Sequence, residues 1–473
     1  MADQISFQKL ASAGRRPELP LALNLNGNEL IIDTWLRTLP GKRYVGRATW
    51  RGQTVLAKIY LGKRALTKAG LEVQGSRRLL QAKLPSPEVI HHGQLTDGKA
   101  AWVVSRFLPD SCSLEQQIGL QVDSLSLEDE GLPWAVKTAH TIARMHNAGL
   151  QQKDIHPGNF LFSDEQCWII DTADIKALDG HHDRAYNLGV FLSQLPEPWW
   201  PGLHAAYQRL ADTGLDYGTV CALAWDWQAR RAEDLAEKSV RDCSLFETRE
   251  SWRRFQSCWR EDSESLRPLL DDLDGVIARS RILKDGGSAT VSEIEWQGRR
   301  LVIKRYNLKG LMHRLKRFWR PTRAWHSWQA GHRLRGLGVN TPRPVAMVEE
   351  RFGALRGRGY LITEHSVGED LLKVCETAEE PLLHKIANAL QGLLQVMERY
   401  RISHGDFKAT NLLWEQGLVV IDLDAVRWHR SIGSWQKANA KDEARLLRNW
   451  AVDSLPRDCI ESALTEQEQT LQN

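Results

Sequence analysis

No run of 18 consecutive apolar residues occurs anywhere in this 473-residue chain, which argues against a hydrophobic membrane-crossing helix. Met1 to Glu29 carries no apolar core of the secretory kind. The seven cysteines, at 112, 167, 221, 243, 258, 375 and 459, form no CxxC pair. That odd, unpatterned set suggests reduced thiols in a reducing compartment. Charge of one sign is also scarce in excess: 63 Lys and Arg stand against 59 Asp and Glu, a net charge of +4. A basic partner surface must then be local. There is no low-complexity segment. Together these absences predict a cytoplasmic protein whose membrane contact, if it has one, is peripheral.

What is present is globular. The chain is 42% hydrophobic and 26% charged, and its length exceeds one ordinary core, so two or three domains are expected. The 19 tryptophans read first as large core and interface side chains.

Two stretches carry the chemistry. In Lys153-Asp154-Ile155-His156-Pro157-Gly158-Asn159 an amide follows an acid by five residues, and the apolar Ile169-Ile170 leads to Asp171. The construction returns in His404-Gly405-Asp406-Phe407-Lys408-Ala409-Thr410-Asn411, followed by Val420-Ile421-Asp422. An Asp-x4-Asn loop followed by a strand ending in Asp is the phosphoryl-transfer centre of the protein-kinase fold. Upstream, Trp50-x-Gly52 and Trp296-x-Gly298 each begin a turn and an apolar strand that ends in lysine. Tryptophan lies eight residues before Lys58 and before Lys304, and glycine six before each. Landmarks recurring in one order at an offset near 250 residues predict a duplicated domain.

Phosphoryl transfer asks for positioning and charge neutralisation more than covalent chemistry. Lys58 and Lys304 would hold the α- and β-phosphates of ATP. Glu72, within a helix expected over 65–82, would hold Lys58. Asp154 and Asp406 would orient the substrate hydroxyl. Asn159 with Asp171, and Asn411 with Asp422, would hold Mg²⁺, which prefers hard oxygen ligands. Glycines in 39–46 and in 284–289 could lie over the phosphates, although each is a weak match.

The two sets are unequal. From Arg305 to Val348 the sequence has no Asp or Glu, so Lys304 lacks a glutamate on its helix, where Ser327 aligns with Glu72. Its anchor must come from elsewhere, or that copy binds nucleotide poorly. In the first copy Gln152 stands where His404 stands, Lys153 replaces a glycine, and Asn187 aligns with Asp442. On this count the first copy keeps the full set and is expected to transfer phosphate. The second is then either another kinase or the half that binds the acceptor.

The loops at 154–159 and 404–411, and Ile421-Asp422-Leu423-Asp424 in place of Asp-Phe-Gly, resemble those of small-molecule and sugar kinases with the protein-kinase fold. With the basic, Trp-rich segment before Pro342, the chain most resembles the bacterial lipopolysaccharide core kinase family. That resemblance implies ATP-dependent phosphorylation of heptose in the inner core of lipopolysaccharide. It is also what favours a lipid or lipopolysaccharide phosphate as partner of Lys309, Arg314, Lys316, Arg317, Arg320 and Arg323, against a merely solvated basic helix. No nucleic-acid module is evident.

The expected architecture is α+β: two tandem protein-kinase-like domains, each with a small β-rich lobe and a larger helical one. The first would span 1–260, with lobes at about 25–107 and 108–260; the second would span 261–473, with lobes at about 275–364 and 365–473. Residues 230–264 read as a last helix plus connector. A non-catalytic scaffold in lipopolysaccharide assembly is the alternative. A protein kinase is disfavoured, since neither copy shows an activation segment running from Asp-Phe-Gly to Ala-Pro-Glu.

Overall fold

The computed structural model describes residues 2–95, 97–122, 131–307, 321–353 and 355–470. Most of the basic segment at 309–323 lies outside these residues; of its cations only Arg323 is described. The chain divides into two compact units, 1–227 and 228–473.

In the first unit, strands β1 (Leu21–Leu25), β2 (Asn28–Leu39), β3 (Arg43–Trp50), β4 (Gln53–Leu61), β5 (Val89–Gln94) and β6 (Ala100–Arg106) form one antiparallel sheet in the order β1-β2-β3-β4-β6-β5. The β3–β4 hairpin closes through Arg51 and Gly52, both left-handed (φ 51° and 74°), the geometry that a two-residue turn requires. Side chains alternate across the sheet. Leu30, Ile32, Ala48, Val55, Ala57, Ile59 and Trp102 fill one face. Tyr60, Ala101 and Val103 meet Ala65, Ala69 and Val73 of helix α1 (Ala65–Gln81) on the other. Helices α2 (Leu132–Asn147) and α3 (Gly180–Leu192) belong to a second, largely helical layer whose core includes Ile142, Phe160, Leu188, Phe191, Trp200 and Tyr207.

In the second unit, β7 (Phe246–Ser251), β8 (Arg254–Trp259), β9 (Arg281–Gly286), β10 (Ala289–Trp296), β11 (Arg299–Tyr306), β12 (Pro344–Phe352) and β13 (Leu355–Glu364) build an antiparallel sheet in the order β7-β8-β12-β13-β11-β10-β9. Gln297 and Gly298 close its lysine hairpin with φ of 50° and 77°. Helix α4 (Arg323–Gly336) begins at Thr322, whose hydroxyl accepts from Trp325 N, and buries Ala324, Ser327, Trp328 and Ala330. Helices α5 (Glu380–Arg399) and α6 (Ile432–Leu447) contribute Leu383, Ile386, Leu390, Leu394 and Leu446 to a separate helical core.

Each sheet holds a five-stranded series of one order, β2-β3-β4-β6-β5 in the first unit and β9-β10-β11-β13-β12 in the second. Their additions lie on opposite edges, β1 beside β2 and β8-β7 beside β12. The last addition corrects the expectation for 230–264. The helix ends at Lys238, and 246–259 form a hairpin whose second strand pairs with β12. The division therefore falls at 227/228 rather than near 260. Trp252, Phe255 and Trp259 stand at roughly helical spacing, which favours a helix in the sequence, but the four-residue step from Phe255 to Trp259 places side chains on one face of a strand as well.

Candidate nucleotide and phosphoryl-transfer sites

In the first unit Lys58 projects from β4 between two carboxylates. Its Nζ lies 2.6 Å from Glu72 Oε1 and 2.8 Å from Asp171 Oδ1. Burial alone would strip the proton from Lys58, but Glu72 and Asp171 outweigh it and hold the pKa above the usual lysine range. Burial likewise opposes the charge on Asp171, and Lys58 and Arg43 keep its carboxyl below the usual range. Glu72 is fixed from three sides. The Tyr60 hydroxyl donates to Oε2 at 3.2 Å, Thr172 N donates to Oε1 at 3.3 Å, and Thr172 Oγ1 donates to the Glu72 carbonyl at 2.8 Å. Gly75, one turn on, seats the helix directly on that turn; a Cβ there would lie 1.7 Å from Thr172 O.

The second unit assembles the same charges from different elements. Lys304 Nζ lies 2.6 Å from Asp422 Oδ1 and 3.0 Å from Asp424 Oδ1. Ser327, on α4, donates to Asp424 Oδ1 at 2.9 Å, and Tyr306 donates to it at 2.6 Å. The anchor missing from α4 is therefore Asp424. Tyr306 corresponds to Tyr60: each stands two residues past its lysine and donates to the anchoring carboxylate. Burial, then the neighbouring carboxylate, raises both phenol pKa values, so both remain neutral donors. The sequence signal was available. A helix without acids coincides with a second acid in Ile421-Asp422-Leu423-Asp424.

Asp171 and Asp422 both hold left-handed backbone (φ 58° and 62°), a conformation that aspartate tolerates better than most residues. In each unit the loop amide closes back on its acid: Asn159 Nδ2 donates to Asp154 O at 2.8 Å, and Asn411 Nδ2 to Asp406 O at 2.8 Å. Each bond uses the amide nitrogen, so both amide oxygens could serve as cation ligands. With Asp171 or Asp422 they give the hard-oxygen donor pair that suits Mg²⁺ shared with phosphates. Among the described residues no group of three His, Cys, Asp or Glu gathers for a metal.

The catalytic loops differ more. Gly405 is left-handed (φ 79°), and a Cβ there would lie 2.7 Å from Ala425 O. That turn aims His404 N and Gly405 N at Asp442, at 2.7 and 2.9 Å. Buried His404 accepts from Asp406 N on Nδ1 and donates from Nε2 to Ile421 O at 3.0 Å; burial lowers its pKa, so it serves as a neutral ring. In the first unit Lys153 replaces the glycine, and the loop presents a carbonyl instead. Asn187 Nδ2 donates to Gln152 O at 2.8 Å, while its Oδ1 faces His146 Nε2 at 3.1 Å. The residue pair thus exchanges acceptor for donor along with the backbone it braces. Gln152 takes over from His404, donating to Ile170 O at 2.7 Å.

Asp406 is held by Lys408 Nζ at 3.0 Å and Arg445 at 3.6 Å. Burial opposes its charge, but Lys408 prevails and sets the carboxyl below the usual range. Asp154 is exposed, with His156 in the position of Lys408.

Residues 280–469 match the family model described as Lipopolysaccharide kinase (Kdo/WaaP) family. A 3-deoxy-D-manno-octulosonic acid kinase of Vibrio cholerae serotype O1 is 26% identical over 140 residues, 29% of this chain and 57% of that protein. One from Xanthomonas oryzae pv. oryzae is 31% identical over 145 residues, 29% of this chain and 55% of that protein. The chain spans a little over half the length of these curated relatives. A solved structure, WaaP in complex with acyl carrier protein, aligns at 19% identity and a TM-score of 0.32, covering 42% of this chain and 88% of that one. The segment carrying Lys304, Asp406, Asn411, Asp422 and Asp424 thus lies within the stretch, residues 280–469, that is similar to the lipopolysaccharide kinase (Kdo/WaaP) family.

Proposed function

We propose that the chain is an ATP-dependent phosphotransferase acting on a sugar hydroxyl of the lipopolysaccharide inner core, built from two tandem kinase-like domains. The observation that carries this reading is the complete Lys304–Asp422–Asp424 and Asp406–Asn411 constellation inside the family match. Asp424 removes the reason for preferring the first unit, so transfer is assigned to the second. In this reading Lys304 grips the phosphates, Asp406 orients the acceptor hydroxyl, and Lys408 neutralises charge on the transferred group. Asn411 and Asp422 hold Mg²⁺, which when bound supplies charge neutralisation between the phosphates. Lys58, Glu72, Asn159 and Asp171 form the corresponding site of the first unit, with Asp154 facing its acceptor side.

Heptose is the proposed acceptor. A second reading, 3-deoxy-D-manno-octulosonic acid, is favoured by the names of the curated relatives. The acceptor would be an anionic glycolipid at the inner face of the inner membrane, and the basic residues between 309 and 323 suit such a surface by charge.

The test incubates the full chain with γ-labelled ATP, Mg²⁺ and core lipopolysaccharide from cells lacking this protein, followed by mass analysis of the core sugars. Label on heptose is the expected result. Label on 3-deoxy-D-manno-octulosonic acid selects the second reading. Nucleotide binding without any labelled sugar would leave a non-catalytic scaffold.

A further inference from the structure

We propose that Arg43 is a phosphate ligand of the first unit, a second cation on a bound nucleotide's polyphosphate tail that the second unit lacks at that position. The proposal rests on reading the first unit as a nucleotide site. Arg43 opens β3, directly after the turn at Pro40-Gly41-Lys42, and pairs with Tyr60 in the strand register. From there its Nη1 lies 3.6 Å from Asp171 Oδ1, on the carboxylate that also receives Lys58.

The guanidinium is poorly used where it stands. Its side chain is 18% exposed, its Nε is buried without a hydrogen-bond partner, and the Asp171 contact exceeds hydrogen-bond length. A planar five-donor group held this way among the described residues is a grip waiting for a better acceptor. Phosphate oxygens fit: they bind guanidinium in the charge-assisted, bidentate manner that one shared carboxylate oxygen cannot. Exposed Arg37 adds to the positive field at Asp171. Asp171 has oxygens for a cation, so an arriving nucleotide and its metal would take the carboxylate and release Arg43 to the phosphates.

The second unit shows what the position looks like without this role. Ala289 occupies the same register, opposite Tyr306. Among the described residues Arg323 is a cation of this site, and it is committed: it donates to Ser288 O at 3.0 Å, stacks over Tyr306 at 5.3 Å and lies 3.9 Å from Asp424.

The test uses the full chain with Lys304→Ala and Asp422→Ala, so that nucleotide heat in calorimetry reports the first unit. Arg43→Gln and Arg43→Lys are added to that background, with melting curves to confirm folding, and each protein is titrated with adenosine, AMP, ADP and ATP. Arg43→Gln should weaken ATP and ADP at least tenfold and leave adenosine and AMP within about twofold, since a charge-assisted hydrogen bond is lost only where a β-phosphate exists. Arg43→Lys should restore part of the loss. ATP binding unchanged by Arg43→Gln, but abolished by Lys58→Met, would overturn the role of Arg43 alone. Equal weakening of all four ligands would also overturn it. No binding of any nucleotide in the parent background would overturn both this role and the nucleotide site of the first unit.

Discussion

The two lysine centres reach one electrostatic arrangement by different routes. In the first unit the anchoring carboxylate comes from helix α1 as Glu72; in the second it comes from the turn after Asp422 as Asp424, and the helix offers only Ser327. A tyrosine two residues past the lysine donates to the anchor in both. What the fold preserves is a negative charge beside the lysine, whichever element supplies it. The loops behave in the same way. His404 and Gln152 use different side chains to donate to the same strand carbonyl, whereas Asp442 and Asn187 have opposite polarity because the backbone in front of them differs.

Four experiments would break or sharpen this comparison. The largest effect is expected at the acids facing the acceptor. Asp406→Ala should lower sugar phosphorylation by about 10²–10⁴-fold, and Asp154→Ala should leave most of it, measured as initial rates with γ-labelled ATP. The reverse ranking would move transfer to the first unit. Next comes the relocated anchor. Asp424→Ala should weaken nucleotide binding to the second unit by about 10–100-fold, the scale of a lost charge-assisted hydrogen-bond set. Adding Ser327→Glu should recover much of it by rebuilding the first unit's arrangement; a failed rescue would show that helix α4 cannot carry the charge.

A smaller effect concerns pH. Burial lowers the pKa of His146 to about 4 and of His332 to about 3, and lowers that of His404 as well. All three stay neutral in the folded chain while the unfolded chain takes up protons below about 6.5. Stability should therefore be retained above that pH and fall below it, by about 1.4 kcal/mol per pH unit for each histidine, until the folded-state pKa is reached. Urea melts at pH 7 and pH 5 would check this, and equal midpoints would refute it. The smallest change is expected from Gln152→His in the first unit. A ring that donates to Ile170 O keeps the brace, so stability should shift by under about 1 kcal/mol.

Much of the site was legible in sequence because its parts are local. The Trp-x-Gly turns, the strand lysines and the Asp-x4-Asn loops each depend on a few consecutive residues, and the structure builds each where the spacing placed it. Asp424 was less legible because its role depends on α4, about 100 residues away, lacking an acid. The 246–259 hairpin was hidden because its aromatic spacing satisfies two periods, and its partner strand β12 is distant in sequence. The alignment of Asn187 with Asp442 does not tell a donor from an acceptor; only the backbone at Gln152 reveals it as a donor.

The seat of Gly75 on Thr172 has a consequence for control of the first unit. Helix α1 meets the turn after Asp171 at a glycine, and Thr172 donates from its N and its Oγ1 to Glu72. Many kinase-like enzymes are switched off by swinging this helix, and its glutamate, away from the lysine. Here the helix and turn pack directly on each other, so swinging the helix away from Lys58 would first have to break that contact and its hydrogen bonds.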